Sequence, residues 1–353
     1  MPRRAIFEKK TFRRDRAFGE LSILRKIRAR ENAKSFAGLV LGIGDDCALL
    51  QQKSNEQIAV TTDLSIEGRH FRLEWHPPEV VGYRTLARGL SDLAAMGARP
   101  LGAFLSLGLP RNLTRSKRRE ASWLDRFVDG FSSLAEAHAT PLAGGDLAES
   151  AFVIADIVLI GAVPRGRALL RSGANAGDSL YVTGTLGGSA AGLSRLSQIK
   201  RRVKSKEFSA QLAAHFSPEP RLAQGWWLQR RGIASAAIDL SDGLSTDLAH
   251  LCEESSVRAE LDAASLPIAP GATFMQALHG GEDYELLFTA PQNAHLPRTI
   301  AGVPVTKIGR MMRRRAGQPL MTLRNETSAQ PLEPRGWQHF IEQAGALRLM
   351  PFD

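Results

Sequence analysis

Apolar residues recur at helical spacing from Phe18 to Ile27, which predicts a first helix behind a basic leader at residues 1–17. Ile58 to Thr62 reads as a short strand running into Asp63, and Val80 to Met96 has the mixed polar and apolar pattern of an amphipathic helix. Leu101 to Leu107 is a buried-strand candidate closed by Pro110, and Ser122 to His138 is helical by period, with Pro141 ending it. The run from Ala151 to Val163, interrupted by Asp156, predicts one central strand. A turn-rich stretch follows, containing Pro164, Gly166, Gly173, Gly177 and Asp178, and it divides the chain into domains at 18–163 and 164–353. Beyond it, Ser179 to Thr183 restarts as a strand, a glycine-rich turn opens a helix, and Ala236 to Leu240 is a strand ending at Ser241-Asp242-Gly243. Thr246 to Glu254 is helical and Glu285 to Thr289 strand-like. Strands alternating with helices in both halves predict an α/β or α+β class.

Length and composition agree with two domains. The 353 residues exceed one typical core, and 43% apolar against 23% charged residues describes a globular chain that folds without staples. The two cysteines, Cys47 and Cys252, lie far apart with no CxxC partner, which removes a disulfide framework and a cysteine-type zinc site and fits a reducing cytoplasm. No apolar segment follows the basic N-terminus as in a signal peptide, and the longest apolar run is too short to span a bilayer. The net charge of +10 is peripheral: residues 1–30 hold eleven Lys/Arg against three acids, and further clusters lie at Lys200–Lys206 and Arg310–Arg315. Solvated tails and loops account for that charge better than a nucleic-acid partner does.

The candidate chemistry is acidic. Gly44-Asp45-Asp46, Thr61-Thr62-Asp63, Ser91-Asp92 and Gly144-Gly145-Asp146 set carboxylates beside small residues where strands or helices are expected to end. Hard divalent cations take oxygen ligands, Mg²⁺ by way of a few carboxylates, water and substrate phosphates, and glycine lets backbone approach those phosphates. Each segment alone is an ordinary turn or cap; four in one half point to a shared metal–phosphate site, with acid–base work by paired carboxylates as the other option. In the second half Asp239-Leu240-Ser241-Asp242-Gly243 ends a strand, alternation putting Asp239 and Ser241 on one face with Asp242 at the turn. Gly280 to Glu285 offers a flexible turn carrying three acids. Gly184 to Gly192 follows a strand and opens a helix, as a phosphate-binding turn does, but matches neither Walker A nor the dinucleotide GxGxxG. No HExxH, GxSxG, HRD or DFG set occurs, which disfavours zinc proteases, serine hydrolases and protein kinases.

In order, Gly42-Ile43-Gly44-Asp45-Asp46-Cys47-Ala48, Thr61-Thr62-Asp63, Leu90-Ser91-Asp92-Leu93-Ala94-Ala95-Met96-Gly97-Ala98, Gly144-Gly145-Asp146, Asp239 to Leu244 and Gly280 to Leu286 resemble the motif set of bacterial thiamine-monophosphate kinases. The resemblance spans roughly residues 18 to 340. It implies the two-domain fold shared with aminoimidazole ribonucleotide synthetase: an N-terminal domain whose sheet pairs across a homodimer, and a C-terminal α/β domain completing the site. It implies ATP and several Mg²⁺ ions, with thiamine monophosphate as acceptor and thiamine diphosphate as product. Family metal ligands fall on Asp46, Thr61, Thr62, Asp63, Asp92, Asp146, Asp239 and Asp242, of which Asp63, Asp92 and Asp146 also carry catalysis. Nucleotide contacts fall on Gly145, Asp146, Arg171 and Ser241, and substrate contacts on His70, Glu282 and Trp337.

In such a reaction the nucleophile is an oxygen of the acceptor's own phosphate, largely ionised near neutral pH, so in-line transfer needs no general base and no phosphoenzyme. Two other readings stand beside this one. One is a different ATP-using enzyme of the same superfamily, although the reactive cysteine loop of selenophosphate synthetases is missing before Gly42. The other is a basic nucleic-acid-binding protein acting through its leader.

Overall fold

The computed structural model describes residues 20–43, 47–116, 120–199 and 210–337. The basic leader, Asp46 and the Lys200–Lys206 cluster lie outside the described residues.

After α1 (Glu20–Glu31) a small hairpin of β1 (Leu39–Leu41) and β2 (Leu49–Leu50) leads into β3 (Glu56–Ile66), α2 (Pro78–Ala95) and β4 (Arg99–Leu109). Then come α3 (Trp123–Ala137), β5 (Leu142–Glu149) and β6 (Ile154–Pro164). The local signals act where the sequence put them. Pro78 occupies the first turn of α2, where a missing N–H costs nothing. Ser122 caps α3 in a reciprocal box with Asp125. The strands form a sheet in the order β3-β6-β4-β5, antiparallel except for the β4–β5 pair. Two boundaries differ from expectation: β3 continues past Asp63 to Ile66, and Gly144-Gly145-Asp146 lies inside β5, so both motifs are mid-strand. Their flanks are held by pairing, Ser65 and Ile66 against Ala155 and Ile154, Leu147 to Glu149 against Leu107 to Leu109.

The second half begins with β7 (Ser179–Thr183) and α4 (Gly188–Ile199), then α5 (Ala210–Phe216), α6 (Leu222–Arg231), β8 (Ala236–Asp239), α7 (Leu244–Glu254) and β9 (Val257–Asp262). It closes with α8 (Phe274–His279), β10 (Leu286–Ala290), β11 (Thr299–Ile300), β12 (Val303–Arg313), β13 (Met321–Arg324) and β14 (Ala329–Pro331). Its sheet runs β14-β13-β9-β12-β7-β10-β8, with β11 beside β12, and only the β13–β9 pair is parallel. Both sheets are thus mixed and mostly antiparallel, the α+β variant of the expected class.

Helix α2 lies at the centre. Leu86, Leu90 and Leu93 share one core with Phe127 and Phe131 of α3, Ile157 and Leu159 of β6, and Leu228, Leu286 and Phe288 of the second domain. Burial of side chains this size stabilises by about 1.5–3 kcal/mol each, which welds the two halves along α2. Contact with α3 is backbone-close: a Cβ on Gly82 would sit 1.9 Å from the Phe127 carbonyl oxygen, and one on Gly130 1.8 Å from that of Glu79. The opposite face of the first sheet carries Ile58, Val60 and Leu64, respectively 45%, 60% and 43% exposed, beside exposed Val40 and Leu49. No helix among the described residues is long and apolar enough to cross a membrane.

Candidate active site

A cavity of about 330 Å³ opens between the domains, lined among others by Asp63, Asp92, Asp239, Ser241, Asp242, His70, Glu282 and Trp337. Strand alternation decides what reaches it. In β3, Thr61 and Asp63 pair with Leu159 and Ile157 on the face under α2, whereas Thr62 pairs with Val158 and is exposed on the other face. Asp63 receives the Arg88 guanidinium at 2.7 Å, and the Thr61 hydroxyl donates to Asp92, one turn before the end of α2. Asp239 ends β8 and accepts from the Ser91 hydroxyl at 2.7 Å, so adjacent residues of one helix bond a side chain of each domain, Asp92 to Thr61 and Ser91 to Asp239.

The charge crowding shows in protonation. Burial and then the charge of Asp92 push Asp239 up to about 7, against the Ser91 bond and Arg171. Asp92 is raised as well, by burial first; the Thr61 bond opposes this and the Asp63 charge adds to it. Arg171, exposed on the turn between the domains, acts on both carboxylates, and its carbonyl is anchored by the Ser255 hydroxyl at 2.8 Å. Buried carboxylates that repel one another form an oxygen donor set of the type a hard cation relieves. Among the described residues no group of three or more His, Cys, Asp or Glu side chains is placed to hold a metal ion by itself, so a cation at this cleft would need water and phosphate oxygens among its ligands.

Glu282 holds the next position. Burial alone would raise its carboxyl, but Arg84 at 2.6 Å and Arg88 at 3.9 Å outweigh it and hold the group below the usual range. Glu282 and Tyr284 adopt left-handed backbone (φ 65° and 51°), a conformation that costs non-glycine residues about 1–3 kcal/mol. Trp337 reaches the cavity with its amide bonded to the Asp242 carbonyl at 3.0 Å.

Other expected residues fall elsewhere. Asp146 is exposed on the outer face of the first sheet, opposite Ser106, which in turn faces Asp156 across β6. Gly145, itself exposed, pairs with Leu105, and a Cβ there would sit 1.9 Å from the Leu105 carbonyl oxygen. The expected single acidic site is therefore divided, with Asp63, Asp92, Asp239 and Asp242 at the cavity and Thr62 and Asp146 across the sheet. The glycine-rich turn before α4 is corrected outright as a phosphate cradle: its Gly187 and Ser189 amides are taken by the Asp283 carboxylate at 2.6 and 3.2 Å.

Arg84 and Arg88 escaped the sequence reading although they stand eight and four residues before Asp92, on the same helical face. Asp247 was missed too; its carboxylate accepts the Asp242 and Gly243 amides at 3.1 and 3.0 Å and fixes the turn that carries Asp242. His76, Ser189, His215 and Tyr284 also line the cavity, and no local motif marks them.

This architecture, two mixed α+β domains closing a carboxylate-rich cleft along a shared helix, is that of the AIR synthase related proteins. Their N-terminal domain matches residues 44–164 and their C-terminal domain residues 175–318. The chain belongs to the thiamine-monophosphate kinase family within that class: the Escherichia coli (strain K12) thiamine-monophosphate kinase is 40% identical over 307 residues, covering 84% of this chain and 91% of its own. Among solved structures, the thiamine-monophosphate kinase of Stenotrophomonas maltophilia K279a is 36% identical with a TM-score of 0.71, over 87% of this chain and 96% of its own. AaThiL, complexed with AMPPCP and TMP, is 30% identical with a TM-score of 0.69, over 94% and 99%.

Proposed function

We propose that this protein phosphorylates thiamine monophosphate with ATP, producing thiamine diphosphate, the last step in making that cofactor. The observation that carries the reading is the convergence of Asp63 and Asp92 from one domain with Asp239 and Asp242 from the other in one cleft that also holds Glu282 and Trp337. Kinship with thiamine-monophosphate kinases supports it, as does a structural relative that carries an ATP analogue together with TMP.

The chain's own contribution is placement. Asp63, Asp92, Asp239 and Asp242 are the residues that would hold Mg²⁺ at the cleft, and Thr61 orients Asp92 for this. Bound Mg²⁺ supplies charge neutralisation between the two phosphate groups. Asp146 and Thr62 are assigned to a further cation on the far side of the sheet, and Asp46 stays a metal ligand on the family resemblance alone. Arg171, Gly145 and Ser241 are assigned to the nucleotide, Arg171 as a planar donor suited to phosphate. His70, Glu282 and Trp337 hold the acceptor, the indole as a flat apolar wall. Because the attacking oxygen is already ionised, no general base is needed and the carboxylates act by placing the cation that would neutralise the phosphates.

We also assign a homodimer formed through the apolar outer face at Ile58, Val60 and Leu64, in keeping with the exposure of that face, and a cytoplasmic location, in keeping with two unpaired cysteines. The deciding experiment offers purified protein, ATP and Mg²⁺ either thiamine monophosphate or free thiamine. Product from the monophosphate alone is expected; product from free thiamine overturns the acceptor assignment.

A further inference from the structure

Away from the cleft, one face of the second sheet carries a charged groove that the reaction does not use. On β7, Ser179 and Tyr181 point to the same side, and Tyr181, with Phe288 opposite it on β10, packs into the core around α2. Farther from the first domain that side continues across β12, β9 and β13, where Arg310 lies opposite both Ser179 and Glu260, and Arg324 lies opposite Asp262. There the face is open: the Arg310 and Arg324 side chains are 57% and 55% exposed. The Arg310–Arg315 cluster, expected from sequence to be a solvated loop, therefore begins inside β12.

Two local features shape the groove. Lys307 stands opposite Tyr181 and Arg310 opposite Ser179, so β12 gains a residue between them; this bulge puts two cations three positions apart on one side of the sheet instead of on opposite sides. Ile308, inside the bulge, is buried in the second core. Ser179, beside Arg310, is only 1% exposed, yet it lines the groove and its hydroxyl makes no hydrogen bond among the described residues. A hydroxyl so deeply buried ordinarily has a partner.

The groove measures about 550 Å³, within the range of small-molecule sites. Lys307, Arg310, Arg313 and Arg324 line it against Glu260 and Asp262, an excess of two positive charges. Glu260 engages Arg310 through Nε and Nη2 at 3.1 and 2.8 Å. Arg324 stands off from Glu260 and Asp262 at 3.8 and 3.7 Å, and the side chains of Lys307 and Arg313 pair with nothing among the described residues. A phosphate monoester carries a charge of about −1.5 to −2 near neutral pH, which matches that excess. The carboxylates suit hydroxyl groups beside it, Asp262 already accepting from the Ser265 hydroxyl at 3.1 Å. Among the described residues no aromatic ring lines the groove, so it offers no platform for a base. We infer that this groove is a second ligand site, separate from the cleft, and that it takes the phosphate monoester of a small polyol, a sugar phosphate. The phosphate is held by the cations that the two carboxylates leave free, and Asp262 and Ser179 bond the hydroxyl groups.

The test is calorimetry on the full chain with ribose 5-phosphate, set against ribose, inorganic phosphate and AMP. Ribose 5-phosphate is expected to bind at least about tenfold more tightly than inorganic phosphate, and ribose not to bind detectably. The double variant Lys307→Ala/Arg313→Ala changes two exposed side chains; it should weaken ribose 5-phosphate at least about tenfold and leave turnover with thiamine monophosphate unchanged. Asp262→Asn separates a built site from a bare patch of charge by the sign of its effect. Losing a negative charge should strengthen inorganic phosphate, whereas losing a charged acceptor for a hydroxyl should weaken ribose 5-phosphate by about fivefold. Asparagine also keeps an oxygen for the Ala264 amide that Asp262 caps, so the turn after β9 is retained. Ribose 5-phosphate affinity that neither variant changes would put the compound in the cleft and overturn the inference. Equal affinity for inorganic phosphate and ribose 5-phosphate, or tighter binding of AMP, overturns it too. So does a single-stranded RNA oligonucleotide that binds wild type and not the double variant while ribose 5-phosphate fails to bind.

Discussion

The Ser91 hydroxyl donates to Asp239 across the domain boundary at 2.7 Å, while its neighbour Asp92 accepts from Thr61 in the first sheet. One peptide unit of α2 thereby sets the spacing of carboxylates drawn from both domains.

Asp92→Asn keeps the size of the side chain and an oxygen for Thr61 but removes a charge. Turnover with thiamine monophosphate is expected to fall by at least about 100-fold, with a higher Mg²⁺ requirement and an unchanged fold by circular dichroism. Full activity at unchanged Mg²⁺ dependence would remove Asp92 from the cation site.

Trp337→Ala removes the flat wall of the acceptor end. A stacking contact is worth about 0.5–1.5 kcal/mol beyond its area, so the KM for thiamine monophosphate should rise by about tenfold, with that for ATP nearly constant. Equal loss for both substrates would point to the Asp242 turn, to which the Trp337 amide is bonded.

Asp283 gives a pH dependence with a definite sign. Burial, working against the Gly187 and Ser189 amide bonds, pushes its carboxyl up from 3.8 to about 7. The unfolded chain releases this proton first, so between roughly pH 4 and 7 the folded state binds more protons and its stability falls as pH rises. The contribution is fully present below about pH 4 and gone above about pH 7. Asp283→Asn should flatten that decline by up to about 1.4 kcal/mol per pH unit in urea denaturation; an unchanged slope would mean the carboxyl is ionised throughout.

Gly130→Ala tests the backbone contact of α2 with α3. The added methyl meets the Glu79 carbonyl at 1.8 Å, and the helices must part, which should cost about 3 kcal/mol by denaturant midpoint. A neutral result would show that the two helices give way without penalty.

Val60→Asp places a charge in the middle of the exposed apolar face and should halve the particle mass seen by light scattering while leaving the monomer folded. An unchanged mass would locate the subunit contact elsewhere.

Much of the framework was legible because period and punctuation agreed. The apolar period from Ser122 to His138 marked α3, the Ala151–Val163 run held all of β6 but its last residue, and Asp239 stood at a strand end. What could not be read was facing. Thr61 and Thr62 differ by one position and point to opposite sides of the sheet, and which side faces the cleft depends on where α2 packs. The turn before α4 failed for a related reason: glycine-rich backbone in front of a helix attracts an anion, but the sequence does not say that Asp283, nearly a hundred residues on, already supplies one. Arg84 and Arg88 were readable in principle, since their spacing to Asp92 is helical, but arginines on an amphipathic helix ordinarily face water and here they face Glu282.

The divided origin of the cleft's carboxylates carries a thermodynamic consequence. A ligand that draws Asp63 and Asp92 together with Asp239 and Asp242 also adds adhesion between the domains, so its binding free energy is in part resistance to their separation. Reciprocity then requires that a substitution loosening the seam along α2, however far from any phosphate, weaken that ligand's binding by the same factor by which the ligand had tightened the seam.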